Sequence, residues 1–180
     1  MRRHLWTVLF AASIPLWLGG CGAGGAIDDA IDSVASAGGS GGGSPPAATM
    51  SPNERSFAME VFSLVNTERQ KAGSAPLVWD EAAAAAAYAH AVDMDVRDYF
   101  DHDDPDGLDP GHRLATFGIK GRGWGENIAQ GQPDSRAVMD DWMTSEGHRR
   151  NILEPAFGSI GIGVHFGKLG PWWVEDFLTP

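Results

Sequence analysis

The end of the chain places the strongest limit on the fold, because it contains two segments of strand character joined by a turn. Residues 159–166 alternate small and apolar residues, and residues 171–177 are rich in aromatic and β-branched residues. Residues 167–170 begin and end with glycine, which is typical of a hairpin turn. A third strand is predicted over residues 125–129. The chain is therefore expected to form a small, mostly antiparallel sheet that helices must cover.

The first helix is predicted from a start signal and from the spacing of apolar residues. Ser51 can act as its cap, Pro52 suits the first helical position, and Glu54 stands three residues after the cap. Apolar residues then recur at helical spacing over residues 57–65. The pair at residues 72–73, alanine and glycine, is expected to end this helix.

Further helices are predicted before and between the strands. They comprise a helix capped by Asp80 with an alanine run at residues 82–87, a short helix over residues 110–117, and a helix that opens at Pro133. Residues 75–79 are expected to be an extended link. The prediction is an α+β domain over residues 51–180, which at about 130 residues can bury one core without disulfide bonds.

The first part of the chain is predicted to be a secretion signal and a tether. Residues 1–20 have a basic start and an apolar stretch, and the sequence that ends at Cys21 resembles a bacterial lipobox. In such signals the cysteine becomes the acylated first residue, whereas in an ordinary signal Cys21 would be there by chance. Residues 21–50 are rich in Gly, Ala, Ser and Pro and are predicted to be a flexible tether, in which residues 26–37 could form a short helix.

Charge and cysteine content exclude several classes of function. The chain has a formal net charge of −11, which argues against binding to nucleic acid or electrostatic adsorption to anionic lipid. Membrane attachment would instead come from acyl chains on Cys21. Because this is the single cysteine, an internal disulfide framework is excluded.

Six short motifs, in order, resemble those of the CAP superfamily, also called the SCP or sperm-coating-protein-like domain. They are Asn66-Thr67-Glu68-Arg69 with the link that ends at Trp79-Asp80, His102 with Asp106-Gly107 and Arg113-Leu114, Gly125-Glu126-Asn127-Ile128-Ala129, Trp142 with Gly147-His148-Arg149 and Asn151-Ile152-Leu153, Gly161-Ile162-Gly163, and Trp173-Val174-Glu175-Asp176-Phe177. The resemblance covers about residues 57–178. It implies a three-layer α–β–α sandwich.

The resemblance also implies a cavity, which in eukaryotic members contains two histidines and two glutamates. Carried over by motif, His102 and His148 are the histidines and Glu126 is the first glutamate. Ser145 stands where the second glutamate is expected, and the adjacent Glu146 is the provisional substitute. Because the cysteine-rich extensions of many animal members are absent from this sequence, no toxin-like role is inherited.

Two alternatives remain for these cavity residues. Two neutral imidazoles from His102 and His148 could bind Zn²⁺ or another divalent cation, with Glu126 as a ligand, as the partner that orients a histidine, or as a general base. The other alternative is a hydrogen-bonded polar network that closes the domain. A serine hydrolase based on Ser145 and His148 is disfavoured because no nucleophile-elbow motif surrounds the serine, which is expected to cap the following helix through its hydroxyl.

Other polar residues are assigned to structure or solvent. The acidic run over residues 101–109 departs from the EF-hand pattern and is expected to be a solvated loop. His90 is predicted at the surface or boundary, His112 has no partner by spacing, and His165 could reach the cleft or the solvent. Asn127 and Asn151 are expected to tie loops to the sheet.

The sequence predicts a lipid-anchored protein of the bacterial cell envelope whose cleft binds a divalent metal or a small ligand. Binding is favoured over catalysis because the cavity motifs include no convincing nucleophile. One alternative is a metal-dependent hydrolase, peptidase- or esterase-like, with Glu126 as its base. Another is a structural module that binds an envelope component or other partner. The sequence does not name the ligand, lipid or partner.

Overall fold

A computed structural model describes residues 49–180 as one four-stranded sheet with helices on both faces. Its elements are α1 (Pro52–Ala72), β1 (Val78–Trp79), α2 (Glu81–Arg97), α3 (Pro110–Thr116), β2 (Trp124–Gln130), α4 (Ser135–Thr144), α5 (Glu146–Leu153), β3 (Ser159–Gly167) and β4 (Gly170–Leu178). Within this part of the chain, no helix combines the length and the apolar character that crossing a bilayer requires. The predicted signal, the lipobox at Cys21 and the tether lie outside the described residues, except for the last two tether positions.

The sheet is mixed, with the strand order β1-β3-β4-β2. The pairs β3–β4 and β2–β4 are antiparallel, and β1 runs parallel to β3. The hairpin of β3 and β4 and the strand β2 confirm the prediction of a mostly antiparallel sheet. The two residues of β1 lie in the segment that was expected to be an extended link, and they add a short edge strand.

Helix α1 begins with the predicted capping box. The Ser51 hydroxyl accepts a hydrogen bond from the Glu54 amide at 3.3 Å, and the Glu54 carboxylate accepts one from the Ser51 amide at 2.7 Å. At the other end, Gly73 has a φ of 77°, a left-handed conformation that glycine adopts without steric cost. Local sequence therefore determines both ends of this helix.

Helix α2 packs unusually close to the centre of the sheet. A Cβ atom at Gly161 would lie 2.0 Å from the amide nitrogen of Ala84, and one at Gly163 would lie 2.2 Å from that of Tyr88. Glycine in the strand and alanine in the helix therefore allow their backbones to approach. This contact places the C-terminal half of α2, and the loop that follows it, beside strands β4 and β2.

Alternate residues of the strands point into two different helical layers. One face packs against α1, α4 and α5 in a core that includes Ile160, Ile162, Val164, Trp173 and Phe177. The opposite face packs against α2 and α3 through residues such as Ile128, Val174 and Leu178. The arrangement is the expected three-layer α–β–α sandwich of the α+β class.

The helix predictions needed local correction in the second half of the chain. The fourth helix begins at Ser135 and not at Pro133, because the Asp134 carboxylate accepts hydrogen bonds from the amides of Arg136 and Ala137 and forms its cap. The chain then turns at Ser145 and starts α5 as a separate helix. The two helices together hold one side of β2.

Arg69, in the last turn of α1, is completely buried. It donates hydrogen bonds of 2.7–3.3 Å to the backbone carbonyls of Ala75, Ile152, Glu154 and Phe157. A guanidinium presents five N–H donors in a rigid fork, so it can join several chain segments at once. Arg69 thereby fixes the end of α5 against α1.

Candidate functional site

Glu126 on β2 lies at the centre of the candidate site. Its side chain is 1% exposed, and its Oε1 atom is 2.7 Å from Nδ1 of His102, which follows α2. Its other oxygen, Oε2, accepts a hydrogen bond from the Arg113 guanidinium on α3. Three separate elements therefore converge on one buried carboxylate. The structure thus brings His102 and Glu126 into contact.

Arg113 compensates the buried charge of Glu126. Its side chain is mostly buried, at 11% exposure. Besides the ion pair, its Nη1 donates to the backbone carbonyl of His102 at 3.3 Å. The guanidinium thus holds both the carboxylate and the loop that carries the histidine. Arg113 belongs to one of the family motifs, but no local signal in the sequence indicates that its charge belongs to the site.

The His102 ring is held on one side and open on the other. Its side chain is 48% exposed. The hydrogen bond to Glu126, followed by the attraction of that carboxylate, raises the pKa of His102 above its ordinary value despite partial burial. An ionised carboxylate can only accept, so Nδ1 is the donor. In the neutral ring this tautomer leaves the Nε2 lone pair available to a ligand.

His148 on α5 approaches the site from the other helical layer. Its backbone carbonyl accepts a hydrogen bond of 3.2 Å from the Asn127 side chain, which fixes the helix to β2. Burial, followed by the positive charge of His102, lowers the pKa of His148. His148 is therefore neutral near pH 7 and lies within electrostatic range of His102. A neutral imidazole is the form that binds metals.

Asn127 and Asn151 join a helix, where loops were expected, to this edge of the sheet. Asn151 donates to the backbone carbonyl of Glu126 at 3.1 Å and to the side-chain oxygen of Asn127 at 2.9 Å. Asn127 in turn donates to His148, as above, and to the Glu175 carboxyl at 3.1 Å. This chain of amides sets the position of α5 relative to β2.

Two fully buried acids on β4 lie beneath the site, and sequence reasoning missed them. Asp176 pairs with Glu126 in the strand register, and Glu175 pairs with Asn127. Burial, followed by the negative charge of Glu126, raises the pKa of Asp176 well above its ordinary value, and burial raises the pKa of Glu175 to about 8. Glu175 is therefore mostly protonated near neutral pH. Two consecutive acids within an aromatic strand were the available signal.

The sequence prediction for His90 on α2 was wrong. It was expected at the surface or boundary, yet it is 1% exposed, with Nε2 at 3.0 Å from the Asp101 carbonyl and 3.9 Å from Glu126 Oε1. Burial lowers its pKa to about 4, so the ring is neutral near pH 7. The signal was its helical register with Ala83 and Met94, both buried on the same face of α2. We refer to His90, His102, Arg113, Glu126 and Asp176 as the cleft cluster.

Ser145 and Glu146 are not drawn into this cluster. The Glu146 side chain is 84% exposed and forms an ion pair with Arg150 at 3.4 Å, because the first turn of α5 points it to solvent. Ser145 does occupy the cap position of α5, but its hydroxyl makes no capping hydrogen bond, so that part of the expectation was wrong. In the described residues, no hydrogen bond connects Ser145 to His148.

The acidic loop after α2 is largely exposed, as expected. The Asp104 carboxylate accepts hydrogen bonds of 2.9 Å from the amides of Asp106 and Leu108, so the loop supplies its own structure close to His102. His112, which was assigned no partner, contacts Asp109 at 2.9 Å and has a 71% exposed side chain. The loop therefore presents His102 and otherwise faces water.

The donor set fits a divalent cation only if Glu126 is not a direct ligand. Both of its oxygens are engaged, by His102 and by Arg113, and a cation there would face the guanidinium charge. Among residues 49–180, no group of three His, Cys, Asp or Glu side chains is arranged to hold a metal ion. The two imidazoles of His102 and His148 are the remaining donors, with Glu126 orienting His102 through Nδ1. Carboxylate–histidine–metal arrangements of this kind are common in metalloproteins.

Comparison with known proteins agrees with this architecture. Residues 62–177 match the model of the cysteine-rich secretory protein (CAP) family. YkwD of Bacillus subtilis (strain 168) is 42% identical over 122 residues, 68% of this chain and 47% of that protein. The membrane protein YlbC of the same organism is 34% identical over 105 residues, 58% of this chain and 30% of that protein. The chain thus spans less than half the length of these two relatives.

Solved structures show the same fold. An extracellular protein with an SCP domain from Bacillus anthracis str. Ames has a TM-score of 0.67 at 30% identity, over 74% of this chain and 45% of that one. An outer surface protein of Borrelia burgdorferi has a TM-score of 0.64 at 17% identity, over 69% of this chain and 93% of that one. On the family match and the shared fold, the chain belongs to the CAP, or cysteine-rich secretory protein, family.

Proposed function

We propose that this CAP domain works outside the cytoplasm and that its cleft binds a divalent cation, such as Zn²⁺, or a small ligand through His102 and His148. The observation that carries the proposal is the 2.7 Å contact between Glu126 and Nδ1 of His102, which leaves Nε2 of a half-exposed ring as the nitrogen available to a ligand. His148, kept neutral by burial, supplies a second imidazole. A bound cation would offer Lewis-acid character and open positions for a ligand.

The residues of the cleft do three things in this proposal. Glu126 selects the tautomer of His102, Arg113 holds the Glu126 carboxylate in position, and the amides of Asn127 and Asn151 hold α5 in place. Each of these groups positions a ligand-binding atom without reacting itself. Binding, more than catalysis, is what such an arrangement supports.

A hydrolase with Glu126 as general base receives less support from the same contacts. A general base must reach a bound water, whereas both Glu126 oxygens already accept hydrogen bonds from His102 and Arg113. A test of this alternative is turnover of peptide or ester substrates that disappears in Glu126→Gln.

Calorimetric titration with Zn²⁺, together with thermal unfolding, tests the metal proposal. We expect Zn²⁺ to bind the wild-type protein and raise its melting temperature, because a ligand that binds only the folded state stabilises it. His102→Ala and His148→Ala should lose both effects, and Glu126→Gln should weaken binding by about 10–100-fold. His112→Ala is the matched control, since Asp109 is the polar partner of that exposed ring among the described residues. No binding to the wild-type protein, or equal loss in His112→Ala, would overturn the metal proposal.

Extracytoplasmic location and a lipid anchor at Cys21 form the second half of the proposal. The lipobox-like sequence before Cys21 and the extracellular relative from Bacillus anthracis support it. Expression in a bacterial host followed by membrane fractionation tests it. The wild-type protein should sediment with membranes and carry acyl chains, and Cys21→Ser should carry none. Recovery of unmodified wild-type protein in the cytoplasm would count against both location and anchor.

A further inference from the structure

A second cavity lies away from the cleft, between α3, the loop that follows it and the start of β2. Its volume is about 360 Å³, within the range of roughly 300–1,000 Å³ that is typical of small-molecule sites. Leu114 and Leu178 contribute to its apolar floor and are 1% and 0% exposed. Ile119 adds to the walls. We call this cavity the α3 pocket; it shares no residue with the cleft cluster.

Trp124 forms an open aromatic wall of the α3 pocket. Its indole lies directly on the backbone at Gly111, where a Cβ atom would be 2.5 Å from the indole Nε1. Even so, 42% of Trp124 is exposed, whereas Trp142, Trp172 and Trp173 are at most 2% exposed. An indole presents a large flat apolar face and one N–H donor, which suits contact with a planar ring.

Most charges around the pocket are already matched. The Arg122 guanidinium donates to the Thr179 carbonyl at 2.5 Å and to the Ser159 hydroxyl at 3.0 Å, and it pairs with Asp80 at 3.3 Å. The Asp109 carboxylate accepts from the amide of His112 at 2.7 Å and contacts its ring at 2.9 Å. These contacts fix the positions of both groups, and the ion pair with Asp80 offsets the charge of Arg122.

Lys120 is the exception among the charges that line the pocket. It is exposed and forms no ion pair within residues 49–180, although the chain as a whole carries a formal charge of −11. An uncompensated ammonium beside an apolar floor complements a ligand that has an apolar body and one negative charge. Lys120 therefore favours a ligand with an apolar body and one negative charge at this pocket.

We propose that the α3 pocket binds a small aromatic carboxylate. The ring would lie against the Trp124 indole above Leu114 and Leu178, and the carboxylate would meet the Lys120 ammonium. Both groups are accessible from solvent, so binding needs no opening of the core. This site acts independently of the cleft, because Glu126, His102 and His148 contribute nothing to its lining.

Calorimetric titration of the full-length chain with 1-naphthoate tests this proposal, with 1-naphthalenemethanol as the uncharged analogue. We expect the naphthoate to bind and the alcohol to bind about fivefold more weakly, since one exposed ion pair contributes up to about 1 kcal/mol. Trp124→Ala should abolish binding, and Lys120→Ala should reduce naphthoate affinity to that of the alcohol. Lys168→Ala, which removes an exposed lysine on the distant β3–β4 turn, should bind as the wild type.

Two further measurements separate loss of naphthoate binding from loss of folding and from effects at the cleft. If Trp124→Ala fails to fold, Trp124→Phe should retain weakened binding, and quenching of tryptophan fluorescence by naphthoate should be smaller in it than in the wild type. His102→Ala should leave naphthoate binding unchanged, which separates this site from the cleft. Undetectable binding to the wild type, equal affinity for acid and alcohol, or unchanged affinity in Lys120→Ala would each overturn the proposal.

Discussion

Two histidine–carboxylate clusters lie on the α2 side of the sheet, and they use the same residue types differently. The first is the cleft cluster around Glu126. The second, the His165 cluster, consists of Glu54, Asp95 and His165, with the ring Nδ1 at 3.4 Å from Glu54 and Nε2 at 3.4 Å from Asp95. The ring reaches neither the cleft nor open solvent, because it is 20% exposed between these two carboxylates.

Backbone donors identify the His165 cluster as structural. Glu54 accepts from the Phe166 amide at 3.1 Å, in addition to its role in the α1 capping box. Asp95 accepts from the Lys168 amide at 3.1 Å and from the Trp172 indole at 3.2 Å. These contacts fasten the β3–β4 hairpin to α1 and α2. The carboxylates are committed to holding the chain.

The cleft cluster has the opposite character. The Glu126 carboxylate is met by side chains alone, His102 turns a free nitrogen outward, and the Asp176 carboxyl finds no N–H donor among the described residues. Buried acids without donors cost free energy, so a fold under selection for stability alone would not retain them. The comparison teaches that the partners of a carboxylate, more than the residue types around it, separate a ligand site from a structural fastening.

Replacement of Glu126 should have the largest effect on stability. Glu126→Ala leaves the Arg113 guanidinium buried without its partner, which costs about 3–5 kcal/mol. Asp95→Ala in the His165 cluster leaves an amide and an indole N–H unpaired and should cost about 1–3 kcal/mol. Urea unfolding at neutral pH measures both. An equal or reversed order would contradict the distinction between the two clusters.

The pH dependence of stability should come in part from Glu175, which lies beside Asp176 on β4 and on the opposite face of the sheet. Glu175 keeps its proton up to a pKa of about 8 in the folded protein and loses it near its ordinary value of 4.5 when unfolded. Its contribution is therefore fully present below pH 4.5 and is lost as the pH rises through 8, at roughly 1 kcal/mol per pH unit between these values. Glu175→Gln imitates the protonated form and should remove this decline.

Urea unfolding from about pH 5 to about pH 8 covers most of the range between the two pKa values of Glu175. The measurement compares the free energy of unfolding of the wild type with that of Glu175→Gln. The difference between the two proteins isolates Glu175 from His90, whose lowered pKa makes stability rise with pH instead. Asp95→Asn serves as the control and should keep the wild-type decline. Parallel curves for wild type and Glu175→Gln would show that Glu175 is ionised in the folded state.

The features that were predicted correctly from the sequence depend on neighbouring residues. The α1 capping box, the closing hairpin and the strand around Glu126 all follow from signals within a few residues. The assignment of His102 and His148 to one cleft came instead from the motif resemblance, together with the spacing between His148 and Gly161, and it stays a prediction. Pairing of β1 with β3 could not be predicted, because a two-residue strand carries no pattern of its own.

The burial of ionisable side chains could not be predicted from the sequence. Asp176 and Glu175 look like the solvent-facing residues of a strand, and only the helical layers on both faces reveal that each is buried. His90 was misplaced for a related reason, since a single polar residue in an alanine-rich helix is usually exposed. In each case the long-range partner, and not the local pattern, decides the environment.

Smaller effects are expected within the His165 cluster when the side-chain shape is kept. Asp95→Asn retains an oxygen that can accept from Lys168 and Trp172 but loses the negative charge near His165. A cost of about 1 kcal/mol is expected, the typical value of one hydrogen bond. Thermal unfolding measures it, and Zn²⁺ binding should stay as in the wild type. Loss of Zn²⁺ binding would show that the His165 cluster contributes to ligand binding, which would contradict its assignment as structural.

The smallest effect should come from Ser145, which belongs to neither cluster. Its hydroxyl makes no capping hydrogen bond to α5, so Ser145→Ala removes no stabilising contact. We expect the free energy of unfolding to change by less than about 0.5 kcal/mol, as for most surface substitutions. A cap that did form in solution would cost about 1 kcal/mol on replacement. Urea unfolding distinguishes the two values. Unchanged Zn²⁺ affinity in the same variant would show that Ser145 takes no part in the cleft that contains His148.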